Sequence, residues 1–224
     1  MVIILGILIV VVLGFGPSLW VKHVMARHAD ERPDLQGTGG ELARHLLDEF
    51  ELQEVKVETT DAGDCYDPGD RTVRLSKKNY DGRSITAVAV ATHEVCHALQ
   101  HRDNYKPFLR RQAVVSTGIL IDRVGTVLLV GMSVVGSAAI SPRLMIFGIV
   151  AAVVMGLARV LSQFFTLPVE MDASFNRALP ILTHGKYLED NDLHGAKSVL
   201  NAAAYTYVAA AIGEVLNLAR PIRR

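Results

Sequence analysis

Hydrophobic and polar positions are segregated along this chain in long blocks. Residues 1–21 carry no charged side chain, a second uncharged run covers Val124–Pro142, and a third covers Leu144–Val169 with Arg159 as its one interruption. At 1.5 Å per residue, a helix of about 20 residues crosses the roughly 30 Å hydrocarbon layer of a bilayer. The first run therefore predicts a transmembrane anchor. A cleaved signal peptide competes with it, but no basic stretch precedes the apolar run and no small-residue cleavage site follows it. The second and third runs predict a transmembrane helical hairpin over 124–169, because Ile140-Ser141-Pro142-Arg143 stops a helix and turns the chain. Gly125, Gly131, Gly148, Ala151 and Gly156 suit close helix contact in lipid. The alternative is a buried hairpin of a soluble protein. Arg159 either snorkels to the interface or pairs within the bundle. A fourth apolar segment, Ser198–Ala219, contains Asn201, Tyr205, Glu214 and Asn217 and precedes Arg220, Arg223 and Arg224. It reads as a re-entrant or amphipathic helix, with a fourth span as the other option.

Between the first two runs the periodicity shortens. Glu41–Phe50 places Leu42, Leu46, Leu47 and Phe50 at helical spacing after a glycine-rich entry. Val55–Thr59 and Arg71–Leu75 alternate as strands do. Asp67-Pro68-Gly69-Asp70 is a turn signal, so Tyr66 and Val73 fall on two arms of a β-hairpin. Ser84–His101 reads as one long helix capped by Ser84.

Composition sharpens this picture through its distribution. The chain has 23 basic and 23 acidic residues and two cysteines. A balanced charge argues against nucleic-acid binding, which depends on an excess of Lys and Arg. Two cysteines do not make a disulfide scaffold, and a half-apolar chain is not disordered. Of the 46 charged residues, 32 lie between Lys22 and Arg123. The flanks of that block are basic (Lys22, Arg27, Arg110, Arg111, Arg123), while the hairpin turn offers Arg143, so the block is expected on the cytoplasmic side. The expected order is an anchor at 1–21, a cytoplasmic block at 22–123, the hairpin at 124–169, an acidic segment at 170–197, and an apolar helix with a basic tail at 198–224.

The long helix of the block carries His93-Glu94-Val95-Cys96-His97, an H-E-x-x-H motif. Residues four apart share one helix face, so two imidazoles can hold one zinc ion. Glu94 follows the first histidine and is placed to act as general base on zinc-bound water. Two solvent-exposed helical histidines are the bland alternative. A catalytic zinc needs a third protein ligand. Six residues past His97 stands Asp103, not histidine, and His101 lies about 12 Å from His93 along the helix. A hairpin leaving at Arg123 returns the chain to the same face near Leu167. There Glu170 and Asp172 are the first acids after 47 positions without one. Glu170 is the candidate third ligand, and Asp172 the candidate acceptor that orients a ligand histidine. Interfacial carboxylates with no metal role are the alternative, and His184 and His194 are weaker ligand candidates.

The stretch Tyr66-Asp67-Pro68, Val73-Arg74-Leu75-Ser76, Gly82-Arg83-Ser84-Ile85 leading into Thr92-His93-Glu94-Val95, and the later Leu167-Pro168-Val169-Glu170-Met171-Asp172-Ala173-Ser174 resembles the YugP-like membrane-bound neutral zinc metallopeptidases. The resemblance runs over most of the chain. It implies His93, His97 and Glu170 as zinc ligands and Glu94 as the catalytic base. A more distant likeness is to the HtpX and CAAX-protease type. Two positions depart from the family pattern: Cys96 stands where glycine is expected, and Cys65 where histidine is expected before Tyr-Asp-Pro. Cys96 is expected as a small buried hydrophobe, and a Cys65–Cys96 disulfide does not suit a cytoplasmic block.

The fold expected is therefore mainly α, an integral membrane helical bundle with a zincin-like helix and a small β-hairpin in the soluble block. The function expected is a bacterial membrane-bound zinc metalloendopeptidase acting on peptides or proteins, membrane proteins among them. The rival is a catalytically inactive zinc-binding membrane scaffold. An extended peptide is expected to add to the edge of Arg71–Leu75. Tyr187, His184 and Arg177 are the nearby candidates in sequence for stabilising the oxyanion.

Overall fold

The computed structural model describes residues 16–135 and 142–219. Most of the expected anchor (1–15), residues 136–141 with Ile140 and Ser141 of the expected turn, and the basic tail (220–224) lie outside the described residues. Residues 16–27 are helical (α1). The elements that follow are α2 (Gly39–Glu49), β1 (Lys56–Thr60), β2 (Cys65–Asp67), β3 (Thr72–Ser76), α3 (Lys77–Asp81), α4 (Ile85–Arg102), α5 (Lys106–Val135) and α6 (Pro142–Met171). A π-helical segment, Asp172–Ala178, then runs into α7 (Leu179–His184), and α8 spans Asp190–Ala219. Among the described residues the molecule is mainly helical with one small sheet.

Local chemistry accounts for the soluble elements. Thr38 caps α2 by accepting from the Glu41 N–H, and the Glu41 carboxylate accepts from the Thr38 N–H, a reciprocal capping box. A Cβ at Gly39 would collide with the carbonyl oxygens of Asn79 and Ala87, so glycine lets the start of α2 sit directly on α3 and α4. Ser84 caps α4 by accepting from Ala87 N–H. Almost the whole of α4 is buried. Its Ala- and Val-rich sequence lets α2, α8, the sheet and the π-helical segment pack around it, and Leu46, Leu47, Val73, Leu75, Val95, Leu182 and Leu200 form the surrounding core.

The sheet differs from a simple hairpin. β2 and β3 pair antiparallel with Tyr66 opposite Val73, as the turn signal implies. β1 pairs parallel with β3, giving the order β1-β3-β2. β3 is thus the central strand, with both edges occupied. The expectation that Arg71–Leu75 offers a free edge to a peptide is overturned, because a strand paired on both sides has no ladder positions left.

Helix α5 begins at Lys106, within the charged block, and runs without a break through Arg110, Arg111, Asp122 and Arg123. The segments Lys106–Met132 and Arg143–His184 are long and apolar enough to cross a membrane. Only 6% of each apolar window is buried inside the molecule, whereas the core hairpin of a soluble protein would be enclosed. α5 and α6 pack along each other, and Arg159 donates to Asp122 across the pair at 3.0 Å. α8 lies against α6 and α4, burying Ala196, Val199, Leu200, Ala202 and Ala204.

Candidate metal centre

His93 and His97 project from one face of α4, with ring centroids 4.7 Å apart. Glu170 reaches them from the last turn of α6. Its Oε2 lies 3.0 Å from His93 Nε2 and 3.4 Å from His97 Nε2. One ligand atom from each of the three residues falls within 4.8 Å of the others, and all three side chains are buried. His184 and His194 stand outside this group. Seventy-seven residues separate Glu170 from His93, and the α5–α6 pair bridges them.

The remaining ring nitrogens define the tautomers. His97 Nδ1 lies 2.8 Å from Gln100 Oε1, while the Gln100 amide donates to Val169 O and to Asp172 Oδ2, both at 2.9 Å. That amide orientation leaves Oε1 as the acceptor, so His97 carries its proton on Nδ1. His93 Nδ1 lies 3.2 Å from Ser174 Oγ, whose hydroxyl donates to Leu200 O at 3.3 Å. Ser174 therefore accepts from His93 Nδ1. Both Nε2 atoms then present lone pairs to the Glu170 carboxylate. Three lone-pair atoms, the two Nε2 and Glu170 Oε2, facing one another repel unless a cation lies among them. Two imidazoles and a carboxylate suit zinc. The residues present fit that ion.

Glu94 is buried beside this group. Burial pushes its carboxyl up to about 7, against the pull of the neighbouring His93, while Glu170 and Asp64 push in the same direction as burial. Cys96, where glycine was expected, is fully buried, and burial raises its thiol well above the usual range, so it is an inert packing group. Both cysteines are free.

The chain matches, over residues 2–224, the family described as "Putative neutral zinc metallopeptidase". The chain belongs to this family. It is also 37% identical over 211 residues to the "Putative membrane protease YugP" of Bacillus subtilis (strain 168), an alignment that takes in 92% of this chain and 90% of that protein. No solved structure matches it.

One expected position sits differently. Asp172 does not touch either imidazole. It accepts from Gln100, Asn176 and Arg177, and so acts on His97 through Gln100. The π-helical turn rotates Asp172 towards the end of α4 and leaves Ser174 to meet His93. Gln100 and Ser174 escape the sequence reading. Their available signals are spacing alone: Gln100 lies three residues after the second histidine, and Ser174 four after the carboxylate. Arg177 is engaged with Asp172 and Asp103, Tyr187 with Glu49 and His45, and His184 is exposed.

Proposed function

We propose that the protein is a membrane-bound zinc metalloendopeptidase, with His93, His97 and Glu170 as ligands, Glu94 as general base, and Asp172 in support through Gln100. The observation that carries this reading is the convergence of two tautomer-fixed imidazole Nε2 atoms and Glu170 Oε2 on one buried point beside Glu94. Zinc bound there supplies Lewis acidity, polarising the scissile carbonyl and acidifying a water. Glu94, with its carboxyl raised to about 7 by burial, is matched to take a proton from that water and deliver it to the departing amine. The match to the family and the relative's name as a membrane protease support the same reading.

In this reading α5 and α6 cross a bacterial membrane and the charged block within 22–123 lies on its cytoplasmic side; the two long apolar segments and the basic flanks of the block support it. Substrate is a peptide or protein, and it adds to the outer edge of β2 in place of β3. β2 is an edge strand of the sheet, it packs on α4, and Cys65 at its start senses the Glu94 charge.

Replacement Glu94→Gln tests the assignment. The variant is expected to retain one zinc per chain and to lose peptide hydrolysis by at least about a hundredfold. Hydrolysis persisting in the variant contradicts the base. Stoichiometric zinc without cleavage by the wild-type protein favours the scaffold.

A further inference from the structure

One turn of α4 before His93 and Glu94, Val90 lines a cavity of about 300 Å³. Residues three and four apart share a helix face, so this wall continues the face of α4 that carries the candidate metal centre. The facing wall is α1, through Val21 and Met25, with Ala29 just beyond its end. Asp64, the residue before β2, closes a third side. Its carboxylate accepts from the Ser76 N–H at 2.6 Å and from the Asn79 side-chain amide at 2.8 Å, so both oxygens are engaged within the protein. Its charge reaches Glu94, which places this side of the cavity beside the centre as well. Lys22 and Lys78, the other charged groups of the lining, are exposed and keep their ammonium groups in water at the rim. A guest inside therefore meets the apolar side chains of α1 and α4.

The α1 wall is fixed to the rest of the molecule at two places. Thr86 of α4 donates from its N–H to His28 O at 3.0 Å and from its hydroxyl to Met25 O at 2.9 Å. Near the other end of α1, Trp20 meets Tyr205 of α8 edge to face, with ring centroids 6.5 Å apart. The helix that leads out of the expected anchor is thus also one side of a pocket next to the metal centre. Ligand pockets begin at about 300 Å³, so this one has room for one large side chain and not for a whole ligand.

We propose that this cavity is a specificity subsite, in which Val21, Met25 and Ala29 of the anchor side and Val90 of the zinc helix receive a large apolar side chain of a peptide at a residue flanking the scissile bond; the assignment rests on the peptidase reading above. A peptide laid on the outer edge of β2 runs past Asp64, and its successive side chains point to opposite faces of the sheet. The one turned towards α4 enters between Val90 and α1. The buried carboxylate of Asp64 disfavours an acidic guest, and the closed walls set an upper limit on its size.

The test uses the full-length protein in lipid nanodiscs, with Ala29→Leu to narrow the cavity and Met25→Ala to widen it. Peptides carrying glycine, leucine or naphthylalanine on either side of the cleaved bond are compared by kcat/KM. Matching peptide hydroxamates, which bind a metal centre without being cleaved, are compared by affinity. Wild type is expected to prefer leucine to glycine on one side of the bond by at least about tenfold. Ala29→Leu is expected to remove most of that preference, and Met25→Ala to move the optimum to naphthylalanine, both with wild-type zinc content. A wild type that does not distinguish leucine from glycine on either side overturns the proposal, and so does a preference that neither variant moves. A wild type that cleaves none of the peptides overturns the peptidase reading instead, and the leucine-to-glycine ratio of the hydroxamates across the variants still decides the cavity.

Discussion

At the scale of single residues, the centre is built from groups whose protons are already assigned. Gln100 and Ser174 each accept from an Nδ1–H, leaving both Nε2 lone pairs facing Glu170. Replacing Gln100 with leucine removes the acceptor for His97 and the donor to Asp172 at once. Zinc affinity is expected to fall about 10- to 100-fold, measured by competition with a chelator of known affinity. Ser174→Ala is expected to cost less, since its contact with His93 is longer and has no carboxylate behind it. His93 and His97 are legible in the sequence because helical spacing alone puts them on one face, and Glu94 because the H-E-x-x-H motif sets it beside the first of them. Glu170 is legible for another reason: it ends a long stretch without acids at the place where a hairpin must return. Gln100 and Ser174 are not legible, because their contacts depend on how α4 and the π-helical turn are rotated against one another.

At the scale of elements, two turns carry testable detail. Helix α2 ends in a Schellman arrangement, with Leu52 N–H bonded to Leu47 O at 2.7 Å and Glu51 N–H to Asp48 O at 3.2 Å. The residue in the left-handed position is Glu51, with φ of 59°. Glu51→Gly removes the Cβ penalty and is expected to stabilise the protein by about 1 kcal/mol, read by denaturant unfolding. In the β2–β3 turn, Asp67 accepts from the Gly69 N–H at 2.8 Å and from Arg74 at 2.9 Å, which together hold its carboxyl below the ordinary 3.8. A depressed folded value means that this contribution is present above pH 3.8 and lost as pH falls through the lower folded value. The protection factors of the β3 amides are therefore expected to fall below about pH 4, and Asp67→Asn to flatten that dependence. The hairpin is legible from Asp-Pro-Gly-Asp because turn chemistry is local. The parallel pairing of β1 is not, since its register is set by a partner beyond the intervening turn. The π-helical segment leaves no pattern in the sequence that separates it from an α-helix.

At the scale of the whole molecule, the apolar pair α5–α6 brings Glu170 to His93 and His97 on α4, so the apolar frame and the candidate metal centre are built together. Asp122 and Arg159 join the two helices where lipid is expected. Arg159→Leu would leave Asp122 unpaired there, at a cost of about 2–3 kcal/mol. The double replacement with Asp122→Asn is expected to recover most of that loss, in a double-mutant cycle read by thermal unfolding in nanodiscs. The segregation of charge makes the frame legible at a glance, while the extension of α5 back to Lys106 is masked by Arg110, Arg111, Asp122 and Arg123. The central claim is that the hairpin delivers Glu170 to His93 and His97 to hold one ion. Its most direct test is the zinc content of the purified full-length protein beside Glu170→Ala: one zinc per chain in the wild type and loss of it in the variant are predicted, and a variant that keeps wild-type occupancy would contradict the account.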